Sequence, residues 1–394
     1  MTGTLSQRAQ RAEPFHAMAI GQRAAELAGA GRSIVRLSLG EPDFGAPPAV
    51  TVAMRAVMDG RPLPYTAALG MPELRAEIAG FYAARHGVAV DPGRVIVTSG
   101  ASAALLLAVA ATIDPGDEVI MADPSYPCNR QLVDSFGGRL VSVPTSAAQR
   151  YQLDAASVAR AWTARTAAVM VATPANPTGA SVPAAELAAI CDVARIRGGW
   201  RIVDEIYLDL ADPAPDGTPP ATVLATDPDA IVINSFSKYF GMTGWRLGWA
   251  VLPEVLVGPV ERLAVNYFLC AAAHTQAAAL ACFTDESLAV CEERRLELHA
   301  RRQIVLEGLD AIGLPVPVVP DGAFYVYFDV SGTGMDSWTF CERALAEVGV
   351  ALTPGRDFAQ ATADTHVRLS YAASRDDLRE GLRRLAAFVG KARQ

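Results

Sequence analysis

Lysine is nearly missing from this chain. Of its 34 basic residues only two are lysines, Lys238 and Lys391, so chemistry that needs a side-chain amine has two candidates. Charge is scarce too. Charged residues make up 19% and hydrophobic residues 51% of the 394, the reverse of the balance that leaves a chain disordered. Acidic residues outnumber basic ones by 42 to 34, a net −8, so no field is available to draw in nucleic acid or an anionic membrane. The six cysteines (Cys128, Cys191, Cys270, Cys282, Cys291, Cys341) contain no CxxC pair, and with the five histidines they give no zinc spacing. They read as reduced, mostly packed thiols of a cytoplasmic protein. No apolar run reaches the roughly 20 residues a bilayer needs; the longest, 101–113, begins after a glycine and reads as a buried helix. The opening MTGTLSQRAQRAEPF lacks the apolar run of a signal peptide. Neither GxGxxG nor GxxxxGK(S/T) occurs, which removes the main support for dinucleotide and P-loop readings.

What is present is alternation. Short apolar runs at 94–98, 118–122, 168–172, 200–204 and 230–234 alternate with helical stretches such as 101–113 and 184–197. Nearly continuous apolar character marks strands covered on both faces. Strand–helix alternation then predicts right-handed crossovers and a mainly parallel sheet, an α/β fold. After about Phe283 the texture changes to a charged amphipathic helix at 292–309, a strand-like GAFYVYFDV, a helix at 337–348 and a short HVRLSYA. This predicts a second, smaller α+β domain. The first 45 residues are too few for a domain and are expected to pack with the C-terminal part. The expected division is therefore an N-terminal segment (1–45), a large domain (46–285) and a small C-terminal domain (286–394), with a surface loop at 213–220.

In open parallel sheets ligands bind beyond the carboxyl ends of the strands. Each predicted strand is followed at once by a polar cluster: SGAS, DPSY, TPANPTG, DEIY and SFSK. Any one can be a turn; five together point to one site. Gly100, Ala101 and Ser102 open a helix whose first N–H groups have no internal partners, a cradle for a phosphate. Ser235, Ser237 and Arg246, in SFSKYFGMTGWRLGW, can complete it. Lys238 in the same segment can act as a nucleophile if its surroundings lower its pKa. Asp204, closing the apolar WRIVD, needs a partner: a helix N-terminus, an arginine, or a protonated heterocyclic nitrogen. Tyr207 would point to the opposite face of a continued strand, so it shares a ligand with Asp204 only if the chain turns. Asn176, between two prolines, can form an Asx turn or donate to a ligand oxygen. Tyr126 can be core or a stacking platform. Arg368 lies in an otherwise apolar strand and calls for a salt bridge or a substrate carboxylate.

Taken together, LGEPDF, SGAS, NPTG, DEIY, SFSK with GWRLG, and VRLS resemble the fold-type I, pyridoxal-phosphate (PLP) aminotransferases of class I/II, the relatives of aspartate aminotransferase, from Leu39 to at least Tyr371. The resemblance implies a PLP-transferase type I fold with a seven-stranded-type sheet. It implies that Lys238 holds PLP as an internal aldimine, that Asp204 pairs with the pyridine nitrogen, and that Tyr207 and Asn176 bond the ring's phenolic oxygen while Tyr126 stacks on the ring. The phosphate would be held by Gly100, Ala101, Ser102, Ser235, Ser237 and Arg246, with Tyr65 reaching the partner's site in a homodimer. Gly40 and Arg368 would bind the α-carboxylate. The implied reaction is ping-pong transfer of an α-amino group from an amino acid to a 2-oxo acid, with Lys238 as base and then acid. The same constellation serves a β-eliminating lyase, and aminotransferase-like domains also act as ligand-sensing modules of transcription regulators, for which this chain offers no added basic domain. Phe15, Ile20, Tyr267, Phe268 and Phe324 are expected near the substrate side chain. No arginine is evident for a distal carboxylate.

Overall fold

The computed structural model describes residues 3–11, 16–213 and 217–392; Phe15 and residues 214–216 of the expected 213–220 loop lie outside these. A two-residue strand, β1 (Val35–Arg36), precedes the main sheet. That sheet has seven strands: β2 (Val95–Thr98), β3 (Glu118–Asp123), β4 (Arg139–Pro144), β5 (Thr166–Ala172), β6 (Trp200–Asp204), β7 (Ile231–Ser235) and β8 (Gly248–Val251). Their order is β2-β8-β7-β6-β5-β3-β4, and only β8 runs antiparallel to its neighbours. The five apolar runs read from the sequence are all strands. β4 and β8 were not separable from their surroundings, because RLVSVP mixes polar and apolar residues and GWAV is short.

The pleat sends alternate side chains to opposite faces. Val95 and Val97 of β2 join one core cluster while Ile96 joins the other. In β6, Val203 and Ile202 divide in the same way. One face is covered by the helix Ala101–Thr112, buried along most of its length, and by the helix Glu254–Phe268. The other receives the helices Pro72–His86 and Ala184–Ile196. With both faces covered, strands can be apolar throughout, which is why they read as runs rather than as alternation.

The remaining strands are β9 (Tyr325–Asp329), β10 (Val350–Ala351), β11 (Thr353–Pro354) and β12 (His366–Ser370). They form an antiparallel sheet β11-β12-β9 and a small parallel pair of β1 with β10. The helix Asp285–Ile312 packs against the C-terminal helix Arg375–Ala392 beside these strands. Through β1 and the helix His16–Gly29 the N-terminal segment packs on the β10–β11 region. Among the described residues no helix is long and apolar enough to cross a membrane, and no His, Cys, Asp and Glu group could hold a metal.

Candidate active site

The polar clusters at the carboxyl ends of the strands converge, and each has a local reason for its shape. Asp204 is the last residue of β6 and is 7% exposed. The chain turns immediately after it. Ile206 N–H donates to Asp204 Oδ1 at 3.1 Å, and Leu208 N–H donates to the Glu205 carbonyl at 2.9 Å. The buried Glu205 carboxylate secures this turn by accepting from Thr222 Oγ1 (2.7 Å) and Val223 N–H (2.6 Å). The turn brings Tyr207 round to share a 2.8 Å hydrogen bond with Tyr325 of β9. Burial pushes the Asp204 carboxyl up to about 6, opposed by the Ile206 amide and the charge of Lys238. A carboxylate with one backbone donor in such a place is short of a cationic partner.

Lys238 follows β7 by three residues. Its Nζ donates to the Gly40 carbonyl at 2.6 Å and sits 5.6 to 5.8 Å from the ring centroids of Phe324 and Tyr207. Burial lowers its pKa to about 8; Arg368 and Arg246 add to this, while Glu41 and Asp204 oppose it. The amine is still mostly protonated near neutral pH, but its neutral fraction, the form a nucleophile or base requires, is raised by more than two orders of magnitude, about 300-fold, over that of an ordinary lysine.

On one side lies a set of anion-binding groups. Gly100 starts the Ala101–Thr112 helix at φ 81°, with no side chain capping the helix amides. A Cβ on Gly100 would lie 2.6 Å from Arg246 Nη2, so glycine alone permits both the backbone turn and the close guanidinium. Arg246 takes a left-handed conformation at φ 52°. Ser235 and Ser237 Oγ atoms are 2.9 Å apart, with Ser235 donating to the Leu247 carbonyl at 3.0 Å. Ala101 is buried and Ser102 exposed at the helix start.

On the other side, Arg368 of β12 is 3% exposed. It donates to Asn176 Oδ1 (2.9 Å), the Ser38 carbonyl (2.8 Å) and Thr353 Oγ1 (3.3 Å). Its guanidinium carbon lies 4.4 Å from the Tyr325 ring centroid and 4.7 Å from that of Phe358. All these partners are neutral, and among the described residues its buried Nε has no partner. Such an arginine is prepared for an anion. Tyr126 caps the helix Pro127–Ser135, and burial together with the Cys128 thiol pushes its hydroxyl up, with Tyr325 and Arg368 also acting on it.

Tyr65 is 80% exposed. Of the residues expected near the substrate side chain, Phe324 packs edge-on to Tyr207 and Ile20 is buried. Tyr267 and Phe268 end the Glu254–Phe268 helix partly exposed. Sequence reasoning missed Tyr325, Ser38, Thr353 and Phe358. Within GAFYVYFDV and PGRDF nothing separates a site aromatic from a core one, and a carbonyl donates no sequence signal at all.

A half-buried lysine just past the carboxyl end of β7 and a buried arginine on β12 suit an enzyme that handles anionic small molecules through an amine. Residues 32–385 match the family model for aminotransferase class I and II. The chain is 41% identical to the valine–pyruvate aminotransferase of Mycobacterium tuberculosis, over 95% of this chain and 96% of that one. It is 37% identical to the aspartate/prephenate aminotransferase of Thermus thermophilus, over 98% and 99% respectively. Among solved structures, an aminotransferase from Mycobacterium tuberculosis superposes with a TM-score of 0.94 at 39% identity, over 99% of this chain and all (100%) of that one. Aspartate aminotransferase from Thermus thermophilus with maleate does so with 0.92 at 37%, over 98% and 100%. The chain belongs to the class I and II aminotransferases, enzymes that work with PLP.

The residues present fit that cofactor. The Gly100–Arg246 cradle would be filled by a single Cβ, the buried Asp204 carboxylate has no ion-pair contact among the described residues, and the depressed Lys238 amine lies between the anion-binding groups.

Proposed function

We propose that this chain moves the α-amino group of an amino acid to a 2-oxo acid in a ping-pong reaction, with Lys238 as the point of covalent attachment and the carrier of the reacting proton. When bound, PLP supplies an aldehyde for amines and a ring that withdraws electrons from the neighbouring carbon. Asp204 would favour a proton on the ring nitrogen by its charge. Gly100, Ala101, Ser102, Ser235, Ser237 and Arg246 would hold the phosphate. Tyr207 and Asn176 would bond the ring hydroxyl, and Tyr126 would stack on the ring. Arg368 orients the substrate through its α-carboxylate, with the Gly40 segment beside it. The Lys238 amine would be the group placed to take the α-proton and to return it, as base and then acid. The net exchange would be one amino acid for its 2-oxo acid, followed by the reverse exchange with a second 2-oxo acid.

The observation that carries this reading is Lys238 itself: a scarce amine, half-buried, with its pKa lowered to about 8 and flanked by Arg368, Arg246 and Asp204. In this reading the chain divides into 1–45, 46–285 and 286–394, forms a homodimer that lends Tyr65 to the partner's site, and works in the cytoplasm, in keeping with its free thiols. The aromatic surroundings of Arg368 and Lys238 support a neutral side chain on the donor.

The test is a panel of amino acids against pyruvate, 2-oxoglutarate and oxaloacetate, beginning with valine and pyruvate, the pair named for the Mycobacterium tuberculosis relative. Coupled appearance of a new oxo acid and a new amino acid is expected; ammonia release without transfer would favour the β-eliminating lyase. Borohydride reduction of the holoenzyme should place the pyridoxyl tag on the peptide containing Lys238.

A further inference from the structure

The aromatic contact on Arg368 leads back to the main sheet. Tyr325 is fixed within β9, but Phe358 is not in a strand. It follows the single turn Gly355–Asp357 in the loop before β12, yet it is fully buried. Something must hold that loop in place. Asp123, the last residue of β3, does so directly. Its carboxylate accepts from Gln360 N–H at 3.0 and 3.1 Å and from Ala361 N–H at 3.0 Å. Two residues on, Ser125 N–H donates to the Phe358 carbonyl at 2.9 Å. Asp123 is buried, and among the described residues all its side-chain hydrogen bonds go to this loop. From the far side Asp357 accepts from the His16 and Ala17 amides at 2.8 and 2.7 Å, and Arg130 donates to the Asp357 carbonyl at 2.5 Å.

We propose that Asp123 is a positioning residue for amino-acid recognition: by fastening the 355–361 loop to the end of β3, it holds Phe358 against the Arg368 guanidinium. This rests on Arg368 being the α-carboxylate site. A ring packed on the guanidinium face limits rotation of the long side chain and leaves its in-plane N–H edge, including the unpartnered Nε, for a carboxylate. A carboxylate suits this fastening because both its oxygens accept. The amide of Asn replaces one acceptor with a donor that faces the loop N–H groups.

The experiment uses holoenzyme carrying Asp123→Asn, Phe358→Leu, both together, or Arg368→Gln. The readouts are KM and kcat for the donor amino acid, the dissociation constant of its α-methyl analogue by spectral titration, and the pH midpoint of the cofactor absorbance. Asp123→Asn and Phe358→Leu should each raise KM and that dissociation constant about tenfold, with kcat within about threefold and the absorbance midpoint unmoved. The double variant should be within about threefold of either single one, since both act through one contact. Wild-type dissociation constants in the folded single variants would overturn the proposal, as would multiplied effects in the double variant. If Asp123→Asn does not fold, Asp123→Ser takes its place under the same expectations, since Phe358→Leu reports only on the ring against Arg368. Loss of binding in Arg368→Gln with none in the other variants would refute the role of Asp123 only. Unchanged binding in Arg368→Gln would refute the carboxylate reading, and the inference with it.

Discussion

Asp204 and Lys238 are shifted in opposite directions by the same cause, since burial disfavours whichever form is charged. The consequences for Asp204 can be measured without the cofactor. The folded chain holds the Asp204 proton up to about pH 6, whereas the unfolded chain releases it near 3.8. Between those values the folded state binds the extra proton, so stability falls as pH rises through the window, and the loss is complete above it. Asp204→Asn should therefore stabilise the cofactor-free protein by roughly 3 kcal/mol above pH 6 and hardly at all below pH 4. Thermal midpoints of the two proteins across that range would check this. In the holoenzyme the same change should cost about a thousandfold in turnover, because opposite charges about 4 Å apart gain around 4 kcal/mol at an effective dielectric near 20. Steady-state kinetics with saturating cofactor would show it. Both residues stood out in the sequence, Lys238 through scarcity and Asp204 through its place at the end of an apolar run. Tyr325 did not, because its hydroxyl is recruited by Tyr207 from a distant strand.

At the scale of elements, the site is made where strands stop. The turn after β6 answers the one geometric objection visible in the sequence, that Asp204 and Tyr207 belong to opposite faces of a continued strand. Its fastener, Glu205, is held up near 7 by burial and bonded to Thr222 and Val223 far along the chain. The turn between β2 and its helix depends on Gly100 in the same way. Gly100→Ala would force a side chain into positive φ and against Arg246. It should weaken PLP binding by at least about tenfold, roughly 1.4 kcal/mol or more, while the far-UV circular dichroism stays unchanged. Fluorescence titration of the cofactor-free variant would measure the loss. The SGAS cluster announced a helix start, but the guanidinium that makes its glycine necessary comes from the segment after β7.

At the scale of the whole molecule, Tyr65 poses the sharpest question, since it is a tyrosine left 80% exposed. If it completes the partner's site, an inactive Tyr65→Ala protein and an inactive Lys238→Ala protein should complement when mixed. Each hybrid dimer would then contain one site with both lesions and one with none, and a 1:1 mixture should recover about a quarter of wild-type activity after subunit exchange. No recovery, with exchange confirmed by native mass spectrometry, would place Tyr65 in its own site or in none. The parallel sheet, the change of texture beyond residue 283 and the polar clusters at strand ends were all determined by the sequence itself. Local periodicity and the scarcity of a residue type are properties of short stretches of chain, and they survive without the fold. The distances that matter were decided only by tertiary structure: Arg368 beside Asn176 and Phe358, Lys238 on the carbonyl of Gly40, Asp123 holding a loop more than 230 residues away. Those contacts arise from packing the main sheet, the small antiparallel sheet and the N-terminal segment against one another, and no local pattern encodes which remote side chain will arrive to meet a buried charge.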